Sequence, residues 1–182
     1  MPPRILLLRI GLIAVVSIAA CAAPKSGAQL ASDALSRGLQ AHAAGRLEEA
    51  TTAYFEVLRY DTRNKFAFYN LGQLAHTTKR PVAAESYYRL ALEVDPNFNP
   101  AVFNLAILRA DAGATQEAIS LYQRVLATEP DNAAAHFNLG FLLRSIGQQE
   151  EGDAEIARAV RLNPGLGVPP ASSPTPIPVR TP

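Results

Sequence analysis

The chain repeats itself every 34 residues, four times without a gap, and no other property limits its fold as tightly. With segments opening at Ala31, Lys65, Asn99 and Ala133, the eighth position reads Gly38, Gly72, Ala106, Gly140 and the twentieth Ala50, Ala84, Ala118, Gly152. The twenty-fourth reads Tyr54, Tyr88, Tyr122, Ile156 and the thirty-second Thr62, Pro96, Pro130, Pro164. Small residues at two fixed positions let two helices of one hairpin approach closely. Bulky residues at the seventh and twenty-fourth positions fill the space between hairpins, and proline, which lacks a backbone donor and clashes with the preceding turn, ends the second helix. Four such units exceed the minimum of about three that a stacked array needs to bury a continuous core.

The stretches Tyr69-Asn70-Leu71-Gly72, Phe103-Asn104-Leu105-Ala106 and Phe137-Asn138-Leu139-Gly140, with Asp95-Pro96-Asn97 and Glu129-Pro130-Asp131, resemble the tetratricopeptide repeat (TPR) family. The resemblance implies an all-α, right-handed α-solenoid of four helix–turn–helix repeats over residues 31–164, divided 31–64, 65–98, 99–132 and 133–164. The first repeat departs most from the pattern, with Arg37 in place of leucine and Thr62 in place of proline.

Helix boundaries are written in local chemistry. Gly45, Gly113 and Gly147 stand where a helix C-terminus takes a left-handed residue. Asn99-Pro100 offers a cap followed by proline at the first helical position, and Pro81 can open the second helix of its repeat. Glu48, Glu49, Glu150 and Glu151 lie in first turns, where the helix dipole favours acids.

The N-terminus carries a second signal. Arg4 and Arg9 flank a short apolar stretch, and residues 10–23 contain no charge, a run too short to span a bilayer comfortably but suited to a secretory signal core. It ends in Ile18-Ala19-Ala20-Cys21, with small residues before the single cysteine of the chain. This resembles a bacterial lipobox, which implies a signal peptide over residues 1–20, lipidation of Cys21 and a tether over residues 21–30. Each buried methylene of an acyl chain contributes about 0.8 kcal/mol, so several chains anchor firmly. An ordinary cleaved signal and an uncleaved membrane anchor are the competing readings of the same segment. Ala22, which is not aspartate, implies by the same resemblance an outer-membrane lipoprotein facing the periplasm of a didermal host.

Charge and cysteine usage narrow the function. Of 17 Lys and Arg, Arg4 and Arg9 precede Cys21, leaving 15 against 16 acids and a net charge of −1. A near-neutral chain without a basic stripe speaks against nucleic-acid binding. With Cys21 lipidated no disulfide can form, so packing alone must hold the domain. Residues 165–182 hold six prolines and almost no charge, and they are expected to form a Pro-rich tail that is disordered or locally polyproline II, with a peptide ligand as the alternative reading. Repeat three carries Ile119 and Leu121 where repeat four has Asp153 and Glu155; the acids make the last face soluble, as in an array that ends itself at four repeats.

By the family resemblance, positions two, five, nine and twelve of each first helix line a concave face. Those positions give Ser32, Leu35, Leu39, His42; Phe66, Tyr69, Gln73, His76; Pro100, Phe103, Ile107, Ala110; and Ala134, Phe137, Phe141, Arg144. The fifth position forms an apolar column, and the sixth adds Asn70, Asn104 and Asn138, amides able to bond an extended peptide. The candidate partner-binding residues are therefore Phe66, Tyr69, Asn70, Gln73, Phe103, Asn104, Ile107, Phe137, Asn138, Phe141 and Arg144. Packing between repeats is the competing role for the aromatic column. Arg144 is the single basic residue among these positions, which argues against clamping a C-terminal carboxylate.

Nothing points to catalysis: the sequence has no Gly-rich phosphate loop, no His-Glu zinc motif and no evident Ser/His/Asp set. His42 and His76 share position twelve without further metal ligands in phase, and no cofactor, metal or small-molecule substrate is expected. His136 occupies a helix-packing position. The reading is a non-catalytic, lipid-anchored adaptor for partner proteins or peptides, resembling TPR lipoproteins of pilus and secretion-machinery assembly. The alternative is an adaptor regulating peptidoglycan hydrolases.

Overall fold

The computed structural model describes residues 24–167, so the apolar N-terminal run with Cys21 and the chain after Gly167 lie outside the described residues. Eight α-helices follow one another: α1 (Gly27–Ala43), α2 (Leu47–Tyr60), α3 (Lys65–Thr77), α4 (Pro81–Val94), α5 (Asn99–Asp111), α6 (Thr115–Thr128), α7 (Ala133–Ser145) and α8 (Gln149–Leu162), then a 3-10 turn at Pro164–Leu166. Consecutive helices pair into four antiparallel hairpins, and each hairpin packs on the next, an all-α solenoid with the phase of the sequence repeat. The odd-numbered helices are the first helices of the repeats.

The small-residue positions do what their spacing requires. A Cβ built on Gly38 or Gly72 would stand 2.5 Å from the ring of Tyr54 or Tyr88, so glycine lets a fully buried tyrosine lie across the hairpin. In repeat four Ile156 replaces the tyrosine, and Gly140 and Gly152 bring the two backbones together: a Cβ on either would meet the other's carbonyl oxygen at 2.7 or 2.6 Å. Between hairpins, Tyr54, Tyr88 and Tyr122 form the floor of successive core clusters with the leucines and alanines of the next repeat.

The turn inside each hairpin is a left-handed residue, with φ of 73° at Gly45, 75° at Gly113 and 87° at Gly147. Repeat two places Lys79 there, at φ 56°, a conformation costing an L-residue roughly 1–2 kcal/mol. Pro81 opens α4 at the first helical position, and Glu48, Glu49, Glu150 and Glu151 occupy first turns. Between hairpins Asn64 and Asn132 cap α3 and α7, their side-chain oxygens accepting from Ala67 and Ala135 N–H at 2.9 Å.

Three boundaries differ from expectation. α1 begins at Gly27 inside the expected tether, because Ser26 and Gln29 form a reciprocal capping box at 3.2 and 2.8 Å. Asn99 does not cap α5; Phe98 holds that position without a side-chain bond, and the Asn99 amide instead reaches Thr128 and Glu129 at 2.7 and 2.8 Å. Local structure also continues past Pro164: Asn163 accepts from Gly165 N–H at 3.0 Å, and Leu166 folds back onto the cluster of Phe137, Ile156 and Ala159.

The acids of α8 pair as well as solubilise. Asp153 lies 3.4 Å from Arg144, and Glu155 bonds the Nδ1 of His136. The other ring nitrogen of this buried histidine faces the Pro130 carbonyl at 2.9 Å, so His136 ties α7 both to α8 and to the preceding turn. Arg158 and Arg124 reach the carbonyls of Pro130 and Pro96, the same inter-repeat latch in two successive repeats.

Candidate functional groove

A groove of about 660 Å³ opens on the first helices of repeats one to three. Phe66, Tyr69, Asn70, Gln73, Asn104 and Ile107 line it, joined by Leu39, His42, His76, Thr77, Tyr88, Phe98 and Pro100. None of these thirteen residues is Asp, Glu, Lys or Arg. Leu39 is 48% exposed and Phe66 46%, so the groove presents two large apolar side chains to solvent. Fully burying such a side chain contributes about 1.5–3 kcal/mol, and roughly half of that remains to be gained at each.

One wall is aromatic. The Phe98 ring stands edge-on to Phe66 at 5.6 Å and to Tyr69 at 5.4 Å, and Lys65 lies over Phe66 and Phe98 at 5.3 and 5.0 Å while paired with Asp95. That ion pair sits on the rim, and its hydrogen bond, with the backbone N–H of Asn97 helping, holds the Asp95 carboxyl below the usual range. The hydroxyl of Tyr69 accepts from Gln73 at 3.0 Å and from Asn104 at 3.3 Å. Burial pushes the Tyr69 pKa up against those two bonds, so the hydroxyl stays neutral. Burial lowers the pKa of His42, which keeps that imidazole neutral too. His76 lies 3.8 Å from Asp111 at the groove's edge. Among the described residues no group of three or more His, Cys, Asp or Glu gathers to hold a metal.

The remaining candidates are not in the groove. Phe103, 3% exposed, lies edge-on to Tyr122 at 5.4 Å in the core of repeat three. Phe137, 4% exposed, packs at 4.8 Å on Phe141, and Leu166 joins their cluster. Asn138 is buried against the Tyr122 hydroxyl, and Arg144 is engaged by Asp153. The expected column at position five is thus mostly interior, because a large ring there leans between its own second helix and the next repeat. Tyr69 alone of that column reaches the groove, and positions two, nine and twelve supply most of the remaining lining, with Ile107 at position nine itself fully buried in the floor. The asparagines also contribute less than expected. Asn70 donates to the Phe66 carbonyl one turn back at 2.7 Å, and Asn104 to Tyr69, leaving each amide a second hydrogen.

Thr77 and Tyr88 also line the groove outside the named helix positions, but Phe98 is the aromatic wall residue that reasoning on helix positions missed. Its signal was a departure from the repeat's own pattern, phenylalanine where Asn64 and Asn132 cap the equivalent helices. An N-cap side chain contributes about 1 kcal/mol. Repeat three gives that up and gains an aromatic wall.

The tetratricopeptide repeat signature matches residues 109–165 and 67–98. These two stretches are tetratricopeptide repeats. Among solved structures, it superposes on YrrB, a TPR protein with an unusual peptide-binding site, with a TM-score of 0.63 and 25% identity over 74% of this chain and 69% of that one. PilF of Pseudomonas aeruginosa gives 0.69 and 20% over 77% and 64%, and MamA of Desulfovibrio magneticus RS-1 gives 0.67 and 22% over 74% and 76%. The last two establish the fold alone. No curated protein matches this chain in sequence. TPR proteins are generally non-catalytic scaffolds, and this TPR chain has the architecture of a protein–protein interaction adaptor.

Proposed function

We propose that this TPR protein is a non-catalytic adaptor that receives an extended, uncharged peptide segment of a partner protein in the groove over α1, α3 and α5. The observation that carries the reading is the absence of any charged side chain from the thirteen-residue lining, together with half-exposed Leu39 and Phe66. A charged ligand side chain would lose its hydration there without a compensating partner, whereas an apolar one buries area on aromatic walls. The lipobox-like Ile18-Ala19-Ala20-Cys21 supports export and lipidation at Cys21, outside the described residues. The proposed setting is the periplasmic face of the outer membrane, and the proposed role is assistance to pilus or secretion-machinery assembly.

The test is photo-crosslinking in cells, with a benzophenone amino acid at Gln73 in the groove and at the exposed Arg124 of α6 as the control. A discrete partner adduct at position 73 alone is expected, and its mass identifies the machinery. Adducts at position 124 alone would move the interface to the outer face and sink the groove reading. Cys21→Ser should abolish lipid labelling and membrane retention; retention without labelling would favour an uncleaved anchor.

A further inference from the structure

We propose that the groove's resident occupant is the chain's own C-terminal segment, residues 168–182, which a partner must displace. This rests on the groove being a peptide site, and adds what fills it and how access is regulated. The first observation is where the described chain ends. α8 does not simply run out into solvent: Asn163 caps the Pro164–Leu166 turn, and Leu166 packs with Phe137 of α7, beside Phe141. Phe137 and Phe141 stand at the fifth and ninth positions of their first helix, the positions that Tyr69, Gln73 and Ile107 hold where they line the groove. The last described residues therefore lie against the fifth and ninth first-helix positions of repeat four, at the α7–α8 end of the array.

Length is the second observation. Fifteen residues follow Gly167. Extended at about 3.1 Å per residue they reach about 46 Å. Packed helices lie roughly 10 Å apart, which puts α3 on the order of 20 Å from α7, well within reach.

The third is chemistry. Residues 168–182 contain six prolines, and Arg180 is their one charge, so the stretch from 168 to 179 is as free of charge as the groove lining. Proline-rich backbone is preformed as an extended helix, loses little entropy on docking, and suits aromatic walls such as Phe66, Tyr69 and Phe98. It offers carbonyl acceptors with few N–H donors of its own. The groove answers with the second amide hydrogens of Asn70, Gln73 and Asn104.

Tethering makes the segment a strong competitor. At an effective concentration of about 1 mM, a tail with an intrinsic Kd of about 0.1 mM would weaken a partner's apparent affinity about tenfold. The groove would then open to partners whose segments bind more tightly, or when residues 168–182 are themselves captured.

The experiment uses the full chain in its own membranes, with the benzophenone amino acid at Gln73. Trypsin then releases residues 66–79 and 162–180 as separate peptides. The expected result is a covalent 66–79/162–180 pair, absent when the probe sits at Arg124. Replacing residues 168–182 with a Gly-Ser segment of equal length should abolish that pair and raise partner adducts about tenfold. Partner adducts without the tail pair would overturn this inference and leave the groove reading standing. A tail pair without partner adducts would do the reverse, and no adduct of either kind would sink both. A pair formed between differently isotope-labelled chains would replace the intramolecular contact with the tail of a second copy.

Discussion

Replacing Gly140 with alanine tests whether backbone contact, and not only side-chain fit, sets the spacing of the last hairpin. A Cβ there would lie 2.6 Å from Ile156 Cγ1, 2.7 Å from the Gly152 carbonyl oxygen and 3.0 Å from the Ile156 backbone nitrogen. Two of those three atoms are main chain of α8, so relief requires α7 and α8 to separate. Overpacking of this kind costs about 1–3 kcal/mol, and alanine returns about 1 kcal/mol of helix propensity. With main chain resisting, the cost falls at the upper end, for a net loss of about 2 kcal/mol. Gly72→Ala is the matched control. The three atoms nearest its Cβ all belong to the Tyr88 ring, the first at 2.5 Å, and repeat three already holds alanine (Ala106) beside a tyrosine (Tyr122) with both buried. The gain and cost nearly cancel there, for a net loss of about 0–1 kcal/mol. For a chain of this size each kcal/mol moves Tm by about 2–4 °C, so Gly140→Ala should lower Tm by about 4–8 °C in calorimetry. Hydrogen exchange should accelerate first in α8, since repeats in a linear array loosen by nearest-neighbour terms. Equal Tm changes for the two variants would refute the argument that backbone proximity decides.

Other outcomes follow from single observations. Lys79→Gly removes a strained left-handed lysine and should raise stability by about 0.5–1 kcal/mol, read as a higher denaturant midpoint with unchanged slope; a loss would mean that the Lys79 side chain contributes more than its backbone costs. Burial pushes the Tyr54 pKa up to about 12 and that of Tyr122 higher still. The folded state thus holds these protons more tightly than the unfolded chain, whose tyrosines titrate near 10. The stability is present below pH 10 and is lost as pH rises toward 12; tyrosinate absorbance and helical circular dichroism should change together, and ionisation without unfolding would contradict this burial. Truncation after Pro164 should lower Tm by a few degrees, because it removes Leu166 from the Phe137 and Ile156 cluster, whereas truncation after Gly167 spares that contact; identical melting of the two chains would mean the turn adds nothing.

Most of the architecture was legible in the linear sequence because the repeat states one set of local constraints four times. The left-handed turns at Gly45, Gly113 and Gly147, Pro81 at a helix start, the acids in first turns and the tyrosines at position twenty-four are local or within one hairpin. Periodicity therefore reports them directly, and departures such as Lys79 and Phe98 stand out against it. Which side of a first helix faces the interior was harder to read. Phe66 and Phe103 look equally suited to a binding face, yet Phe66 is 46% exposed and Phe103 3%. That difference depends on how deeply each ring leans between hairpins, a matter of the stacking of three helices. Phe98, outside any first helix, enters the groove only because the turn before α5 carries it beside Phe66 and Tyr69. Spacing along the chain determines which helices form and which pair. The groove and the end of the last repeat arise from contacts across repeats, and side-chain burial there was decided only when the helices stacked.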